Sequence, residues 1–430
     1  MKNRKKTNTV ARLSFAALAL PGLIQTATAG RTEETYNADF QYGHYEESNK
    51  RIHVDIFDGV LSAPIGKSMT ANVGVLRDII AGASPTHNER DPVTGKIHQV
   101  ISQASTRGNW CGQSICEQRD AINAGLTYFF DTASVNVGGG FSREQDYTSR
   151  YFNTNVSLDL NKKLTTLNFG GSMAFDEIQP SPGAWGSAIS PGDVPSDSQV
   201  AYGYKNHKTS QNYLIGISQV LDKNSILQSN LTFGYSDGFL TDPYKKVLII
   251  WDQDPTVTAA MNEKRPGHRF EWALLEQYVR HFDKFNNAAL HADYRFSSND
   301  WGVDAHTFEV SWHQPIVDDW QVIPRVRFYS QTKANFYQPV FVDPWSHTEA
   351  HLDNYSVYSS DYRLAGFGAL SGGLKLSKEI KKIKHIDSLK FQTGFEYYNH
   401  KASYEIGGNN SQSFDSFSYT MVTASFNLKF

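Results

Sequence analysis

The chain has 430 residues, a formal net charge of −3 and 13 % aromatic residues, with 22 Tyr and 26 Phe. Its later part contains no apolar stretch near the roughly 20 residues that a membrane-spanning helix needs, and it contains no heptad repeat or long run of charge. Composition therefore excludes a helical membrane protein and a coiled coil, and we expect no nucleic-acid partner.

The N-terminal segment has the three parts of a secretory signal peptide. An apolar run from Leu13 to Ile24 is followed by the small-residue sequence Ala27-Thr28-Ala29, and it is preceded by a basic head of Lys2, Arg4, Lys5, Lys6 and Arg12. We predict that residues 1–29 are a cleaved signal peptide and that residues 30–430 form one exported domain. No Cys follows the cleavage site, so a lipoprotein anchor is not expected.

Apolar and polar residues alternate with period two along nearly the whole exported part, which is typical of strands with one apolar face. Sixteen such segments can be delimited, each about as long as a strand that crosses a membrane at a tilt, or slightly longer. They lie near residues 35–46, 50–62, 67–79, 117–130, 133–146, 149–162, 165–177, 206–221, 225–238, 267–283, 286–297, 303–315, 319–333, 360–377, 386–400 and 415–430.

Connection lengths between these segments also alternate. Most even-numbered connections are short, whereas the long connections are all odd-numbered and span residues 80–116, 178–205, 239–266 and 334–359. Outer-membrane barrels have this arrangement of short periplasmic turns and longer external loops. The pattern predicts an all-β, antiparallel up-and-down barrel with both ends of the exported chain on the periplasmic side. One exception is a longer inner turn, Ser377 to Asp387.

The only cysteines, Cys111 and Cys116, stand in the sequence Cys-Gly-Gln-Ser-Ile-Cys within the first long connection. In an oxidising compartment we expect a disulfide that closes this small loop. A zinc site is disfavoured, because two thiols with no His inside the loop supply only half of a usual ligand set. The connection 80–116 could fold into the barrel or cap it from outside, and both alternatives remain open.

The last strand alternates up to the C-terminal residue, Phe430. A terminal Phe on an alternating strand resembles the signal that the barrel-assembly machinery reads in bacterial outer-membrane proteins. The expected surroundings are therefore the outer membrane, with its lipid and lipopolysaccharide.

Five stretches resemble a bacterial outer-membrane barrel family that is known only as a domain of unknown function, DUF3570. They are Leu76 to Pro85, Ser236 to Lys245, Asp300 to Thr307, Pro324 to Gln331 and Ser359 to Leu364. The resemblance covers nearly all of the exported chain and implies an outer-membrane barrel of Gram-negative bacteria without a settled activity. Relatives of this kind are often encoded beside small secreted or lipid-anchored proteins and redox maturation factors, which implies a possible helper role.

Charged side chains on the polar faces of five consecutive segments, from residue 286 to residue 400, are predicted to line the lumen. They are Asp293, Arg295, Glu309, Arg325, Arg327, Arg363, Lys390 and Glu396, together with His313. One hypothesis is a constriction in which the arginines face carboxylates and select solutes by charge. The other is a lattice of ion pairs that stiffens the barrel wall.

No catalytic motif and no cofactor or metal motif occurs, so we expect neither an enzyme nor a cofactor. His306 and His313 lie on opposite faces of one strand, while His385 and His400 at strand ends are interpreted as interfacial or solvated. Two functions remain open. One is a porin-like channel for small solutes, and the other is a non-catalytic scaffold or export partner for a small envelope protein. For the scaffold, Trp185, Trp251 and Trp345 in the long loops would supply the contact surface.

Overall fold

A computed structural model describes ten parts of the chain: residues 35–82, 84–90, 97–102, 116–180, 205–252, 258–317, 319–343, 355–383, 386–408 and 414–430. The predicted signal peptide, Cys111, Trp185, Trp345 and His385 lie outside them. The predicted signal peptide and the predicted disulfide therefore stay predictions. Within the described parts no helix is long and apolar enough to cross a membrane.

Twenty-one strands occur in the described residues. They are β1 (Asn37–Glu47), β2 (Ile52–Ile65), β3 (Met69–Gly82), β4 (Ser84–Arg90), β5 (Ile97–Ser102), β6 (Cys116–Phe129), β7 (Ala133–Arg143), β8 (Tyr147–Leu160), β9 (Thr165–Ile178), β10 (Asn206–Asp222), β11 (Ser225–Gly238), β12 (Lys246–Trp251), β13 (Thr258–Asn262), β14 (His268–Phe282), β15 (Ala288–Asn299), β16 (Asp304–Pro315), β17 (Trp320–Gln331), β18 (Phe341–Asp343), β19 (Phe367–Ile383), β20 (Ile386–Lys401) and β21 (Phe417–Lys429).

Sixteen of these strands form one closed antiparallel barrel in the order β1-β2-β3-β6-β7-β8-β9-β10-β11-β14-β15-β16-β17-β19-β20-β21. The predicted strand number and fold class are confirmed, and fifteen of the sixteen predicted segments agree with the observed strands to within three residues at either end. β1 and β21 pair from Asn37 opposite Lys429 to Glu47 opposite Tyr419 and so close the barrel. Beyond this ladder the ring of Phe430 stacks on Tyr36, with the ring centroids 5.6 Å apart.

The predicted segment 360–377 was wrong at both ends, because β19 begins at Phe367 and runs to Ile383. Ser359 instead pairs with Tyr337 in the preceding loop, and Tyr362–Leu364 form a single 3-10 turn. At the other end Lys381 pairs with Asp319 at 3.4 Å, and Lys378 lies over the Trp320 ring at 5.2 Å. These contacts let the lysine-rich segment continue as part of β19. The inner turn predicted from Ser377 to Asp387 is therefore reduced to the two residues between β19 and β20.

The two faces of the barrel wall differ as the period-two pattern predicts. Outward side chains are large and apolar and stay exposed, such as Val326 at 58 % and Leu374 at 52 %. Inward side chains are polar and crowded by their neighbours on the concave side, such as Ser371 at 4 % and Ser377 at 3 %. Exposed apolar surface of this extent suits contact with lipid, while the polar face encloses a lumen.

All long connections leave the same end of the barrel, here called the loop end, together with the short β1–β2, β7–β8 and β15–β16 turns. The connections at the opposite turn end are all short, and β1 begins and β21 ends there. The predicted alternation of connection lengths is confirmed. Several turns at the turn end contain residues with positive φ, including Gly66, Asn161, Asn286 and Asp319. Gly, Asn and Asp adopt this backbone conformation with the least strain.

The loop end carries a folded layer, here called the loop layer, made by the β11–β14 and β17–β19 connections. β12 pairs with β13 and with β18 in a three-stranded sheet. Two apolar clusters support it, one around Val247, Ile249 and Phe341 and the other around Trp301 and Phe336. The β4–β5 hairpin of the first long connection joins this layer, since the Asn88 side chain donates to the backbone oxygen of Pro339 at 2.8 Å.

Candidate functional site

Seven of the eight charged residues predicted to line the lumen lie on the inward face of four of the five neighbouring strands β15, β16, β17, β19 and β20. They are Asp293 and Arg295 on β15, Glu309 on β16, Arg325 and Arg327 on β17, and Lys390 and Glu396 on β20. Arg363 does not, because the strand that was predicted to carry it begins only at Phe367. It belongs to the 3-10 turn of the loop layer.

Arg325 holds two carboxylates on different strands. Its Nε lies 3.2 Å from Glu309 on β16, and its Nη1 lies 3.3 Å from Glu396 on β20. The second contact crosses β19 at Gly373, which is the register partner of both Arg325 and Glu396. Because Gly373 has no side chain, the guanidinium can pass over that strand. The contacts of Arg325 therefore agree with the hypothesis of an ion-pair lattice that stiffens the barrel wall.

Arg295 and Arg327 are different, since no described carboxylate lies within 4.0 Å of either guanidinium. Glu309 is the register partner of Arg327, but its carboxylate is held by Arg325 instead. Arg295 is exposed to the lumen. A cation without a counterion in a wet channel attracts mobile anions, so these two arginines fit the hypothesis of selection by charge.

Lys375 on β19 is an inward cation that was missed among the predicted lumen residues. It alternates with Leu374 and Leu376 and pairs by register with Gly394. The same period-two argument that placed Arg325 inward would have found it. With Lys375, and with Glu379 and Lys381 further along β19, the charged wall has six cations, Arg295, Arg325, Arg327, Lys375, Lys381 and Lys390, against four carboxylates, Asp293, Glu309, Glu379 and Glu396.

Two inward histidines stack on this wall, His291 on β15 and His313 on β16, with their ring centroids 4.1 Å apart. The sequence placed His313 inward but gave no partner for it, because the pairing depends on the register between two strands. Ser311 lies within hydrogen-bond distance of His313, at 3.3 Å.

The opposite side of the lumen is uncharged along most of its length. Its inward residues are mainly Asn, Ser, Thr and Gly, and the asparagines are Asn72, Asn123, Asn136, Asn153, Asn155, Asn168, Asn206, Asn212 and Asn230. Gly140 also lies on this side of the lumen. A larger residue would displace Tyr151 on the next strand, because a Cβ at position 140 would lie 2.5 Å from the Tyr151 ring. Between the charged residues near its two ends, which include Asp78, Asp159 and Asp176, the lumen thus has a neutral wall on β3 and β6–β11 and, opposite it, a charged wall on β15–β20.

Aromatic rings cover the charged side of the lumen toward the loop end. Tyr419 lies between Tyr45 and Tyr398, with ring centroids 4.6 and 4.5 Å away. His400 is only 1 % exposed, and its ring lies 4.0 Å from that of Phe367 and 4.7 Å from that of Phe417. The interpretation of His400 as interfacial or solvated was wrong, because these aromatic rings enclose it.

Above the lumen, the loop layer contains a network of charges centred on the buried Asp361. Arg265 donates to its carboxylate at 2.7 Å, and Arg363 donates to it from Nε at 2.8 Å. Arg363 also contacts Asp242 at 2.5 Å, and Arg265 contacts Glu263 at 2.6 Å. Burial alone would raise the pKa of Asp361, but the charges of Arg363, Lys245 and Arg265 outweigh it and hold that pKa well below its ordinary range.

Comparison with known proteins agrees with this architecture. The family model described as "Protein of unknown function (DUF3570)" matches residues 10–421. The chain belongs to the DUF3570 family. No curated protein sequence matches it.

Solved structures that are similar to this DUF3570 barrel have very low sequence identity to it. A bacterial polysaccharide outer membrane secretin is 7 % identical with a TM-score of 0.47, and the match covers 93 % of this chain and 99 % of that chain. OpdK from Pseudomonas aeruginosa with vanillate is 7 % identical with a TM-score of 0.41, covering 92 % and 98 %. The siderophore receptor PirA from Pseudomonas aeruginosa is 9 % identical with a TM-score of 0.37 over 86 % of this chain, which spans only 56 % of that receptor.

One group of carboxylates in the described residues of this DUF3570 protein has metal-ligand spacing. Oxygens of Glu117, Glu144 and Asp146 lie within 4.8 Å of one another at the loop end of β6–β8. The Tyr244 hydroxyl from the loop layer donates to Asp146, and Arg119 acts on Glu144 as a nearby positive charge. Because the group already has these protein partners, we assign no metal to it.

Burial raises the pKa of Glu144, with Asp146 adding to the rise and Arg119 opposing it, and burial also raises the pKa of Asp146. A carboxyl with a raised pKa holds its proton better in the folded state, so it stabilises below its ordinary pKa and loses that contribution as pH rises through the folded value. Glu144→Gln should therefore raise stability at about pH 8 by about 0.5 to 1 kcal/mol, and the gain should vanish at about pH 4. Urea unfolding midpoints at the two pH values measure this. Glu46→Gln, which changes a carboxyl at the same barrel end with no ion pair among the described residues, is the control, and an equal gain at both pH values would contradict the prediction.

Proposed function

We propose that this DUF3570 protein is an outer-membrane channel for small solutes and that it favours anions. The observation that carries the proposal is the pair Arg295 and Arg327, which face the lumen without a carboxylate within 4.0 Å in the described part of the chain. An ion-pair lattice alone would leave no such cations. The surplus of six cations over four carboxylates on the inward face of β15–β20 also favours anions.

The size of the barrel supports a channel as well. Barrels of about 16 strands are wide enough to leave an aqueous passage, whereas barrels of about eight are filled by side chains. The inward face of the described strands is mainly polar, with some apolar positions such as Ile323 and Leu275, and the neutral asparagine-rich wall can exchange hydrogen bonds with water and with uncharged parts of a solute. A charged wall opposite a neutral one would place an anion close to β15–β17.

The proposed location is the bacterial outer membrane, which the barrel fold supports. The predicted signal peptide would direct export and would then be cleaved after Ala29, and the barrel-assembly machinery would read the terminal Phe430. Phe430 is 48 % exposed at the turn end, so its ring is accessible beside Tyr36. We propose neither a cofactor nor a catalytic role.

The test is single-channel recording of the purified full-length mature protein in a planar bilayer. A persistent open step whose reversal potential under a salt gradient indicates anion preference is expected. A silent membrane containing correctly folded, heat-modifiable barrel would contradict the channel.

The alternative function is a scaffold or export partner for a small envelope protein. The observation that favours it is the loop layer, which is folded and cross-linked by charges instead of consisting of separate loops. Trp251, at the end of β12, is the one loop tryptophan of the three candidates that the structure describes. Copurification of a small partner that is lost when the loop layer is replaced, together with a silent bilayer, would favour this function.

The proposed orientation of the barrel, with its loop end outside the cell, gives a separate prediction. In a background with both native cysteines replaced by Ser, a thiol introduced at Asp300 in a loop-end turn should react with a membrane-impermeant reagent on intact cells. A thiol at Lys223 in a turn-end hairpin should react only after the outer membrane is permeabilised, because short turns face the periplasm. Labelling of position 223 alone on intact cells would reverse the assignment.

A further inference from the structure

Arginines on the lipid-facing side of the barrel are confined almost entirely to one patch. The described barrel strands carry four outward arginines, and three of them, Arg77, Arg143 and Arg150, lie at the loop end of β3, β7 and β8. The fourth, Arg280, lies near the turn end of β14. The patch is therefore a local feature of the wall.

Strand register places the patch at the upper edge of the apolar surface. Arg77, Asp120, Arg143, Thr148, Glu177 and His207 follow one another across six neighbouring strands as direct register partners. Arg150 stands one step closer to the middle of the wall, directly between Phe141 and Phe175. Both of these Phe side chains are exposed, which marks the level where apolar surface gives way to charge.

Two of the patch arginines form no ion pair with the described part of the protein. Arg77 pairs with Asp120 at 2.6 Å, and Lys205 next to the patch pairs with Glu177 at 2.7 Å. Arg143 and Arg150 are exposed and have no described carboxylate within 4.0 Å. They are diagonal neighbours on adjacent strands, a spacing of roughly 7 to 8 Å, at which two cations repel unless an anion lies between them.

We propose that Arg143 and Arg150 bind the phosphate groups of the phosphorylated glycolipid of the external leaflet, lipid A of lipopolysaccharide. Guanidinium groups bind phosphate in a bidentate fashion, and the Thr148 hydroxyl next to Arg143 offers a further donor. The exposed Phe141 and Phe175 below lie where the acyl chains of such a lipid would run. The inference rests on the proposed outer-membrane location with the loop end outside, but not on the channel.

The test is binding of diphosphoryl lipid A to the full-length mature barrel, purified in a neutral detergent without phosphate, followed by native mass spectrometry across a lipid titration. Wild type should bind diphosphoryl lipid A about tenfold or more tightly than dephosphorylated lipid A. Arg143→Gln combined with Arg150→Gln should remove most of this preference, and Arg143→Lys combined with Arg150→Lys should keep part of it.

Arg280→Gln is the matched control, because it removes an outward arginine at the opposite barrel end and should leave binding unchanged. Unaltered affinity in the double Gln variant, or an equal loss in Arg280→Gln, would overturn the site. Equally tight binding of phosphatidylglycerol by wild type would overturn the choice of glycolipid. Heat-dependent gel mobility verifies that each variant is folded, and bilayer recording of the double Gln variant separates this result from the channel, which should still conduct.

Discussion

Asp361→Asn should loosen the loop layer while leaving the barrel folded. The Asp361 side chain is fully buried, and removing its charge takes from Arg265, which is only 12 % exposed, one of its two carboxylate partners and leaves Glu263. Removing one partner of a buried ion pair costs about 3 to 5 kcal/mol, which corresponds to at least about a hundredfold increase in local opening. Hydrogen exchange of β13 and of the segment around Arg265 should accelerate accordingly, whereas exchange of the barrel strands should not change.

The pH dependence of the same network has a definite sign. Because the neighbouring cations hold the pKa of Asp361 below its ordinary value, its stabilisation is complete above that ordinary value and is lost as pH falls through the folded one. In the wild type, protection of the loop layer against hydrogen exchange should stay constant down to about pH 5 and decline below about pH 4. Asp361→Asn should abolish this decline. Asp319→Asn removes an exposed ion pair at the turn end and serves as control, with an expected effect below about 1 kcal/mol. Equal loop exchange in Asp361→Asn and wild type would contradict the assigned role.

The barrel could be predicted from the sequence because the pattern that specifies its strands is local. Alternation with period two sets strand bounds and faces without any knowledge of neighbours, so Val326 and Phe328 outward require Arg325 and Arg327 inward. Turn and loop lengths then order the strands. Where alternation continues by chance, as from Ser359 to Leu364, the same rule fails, and Arg363 was placed on a strand that it does not join.

The pairing of charges could not be predicted, because it depends on register and on distant parts of the chain. Glu309 is opposite Arg327 by register but bonds to Arg325, since a carboxylate reaches along the strand as well as across it. Glu396 reaches Arg325 only because Gly373 stands between them. Asp242 and Arg363 meet in the loop layer although more than a hundred residues separate them. These contacts distinguish a structural arginine from a free one.

Arg295→Gln combined with Arg327→Gln should lower anion preference without lowering stability. Both cations lack a carboxylate partner among the described residues, so their removal takes two fixed positive charges from the lumen and breaks no ion pair. The reversal potential under a salt gradient should shift toward the cation value, and the urea midpoint should stay within about 0.5 kcal/mol of wild type.

Arg325→Gln is the matched contrast, because it removes one lumen arginine that holds two carboxylates. Glu309 and Glu396 then lose their common cation in a partly solvated wall, and the expected cost is about 1 to 3 kcal/mol of stability. Adding Glu309→Gln and Glu396→Gln should restore most of that stability, since no unpaired charge remains. The two experiments separate the roles that the sequence left combined: selectivity should follow Arg295 and Arg327, and stability should follow Arg325. If the double Gln variant lost stability and kept its selectivity, while Arg325→Gln did the reverse, the assignment of free and lattice arginines would be wrong.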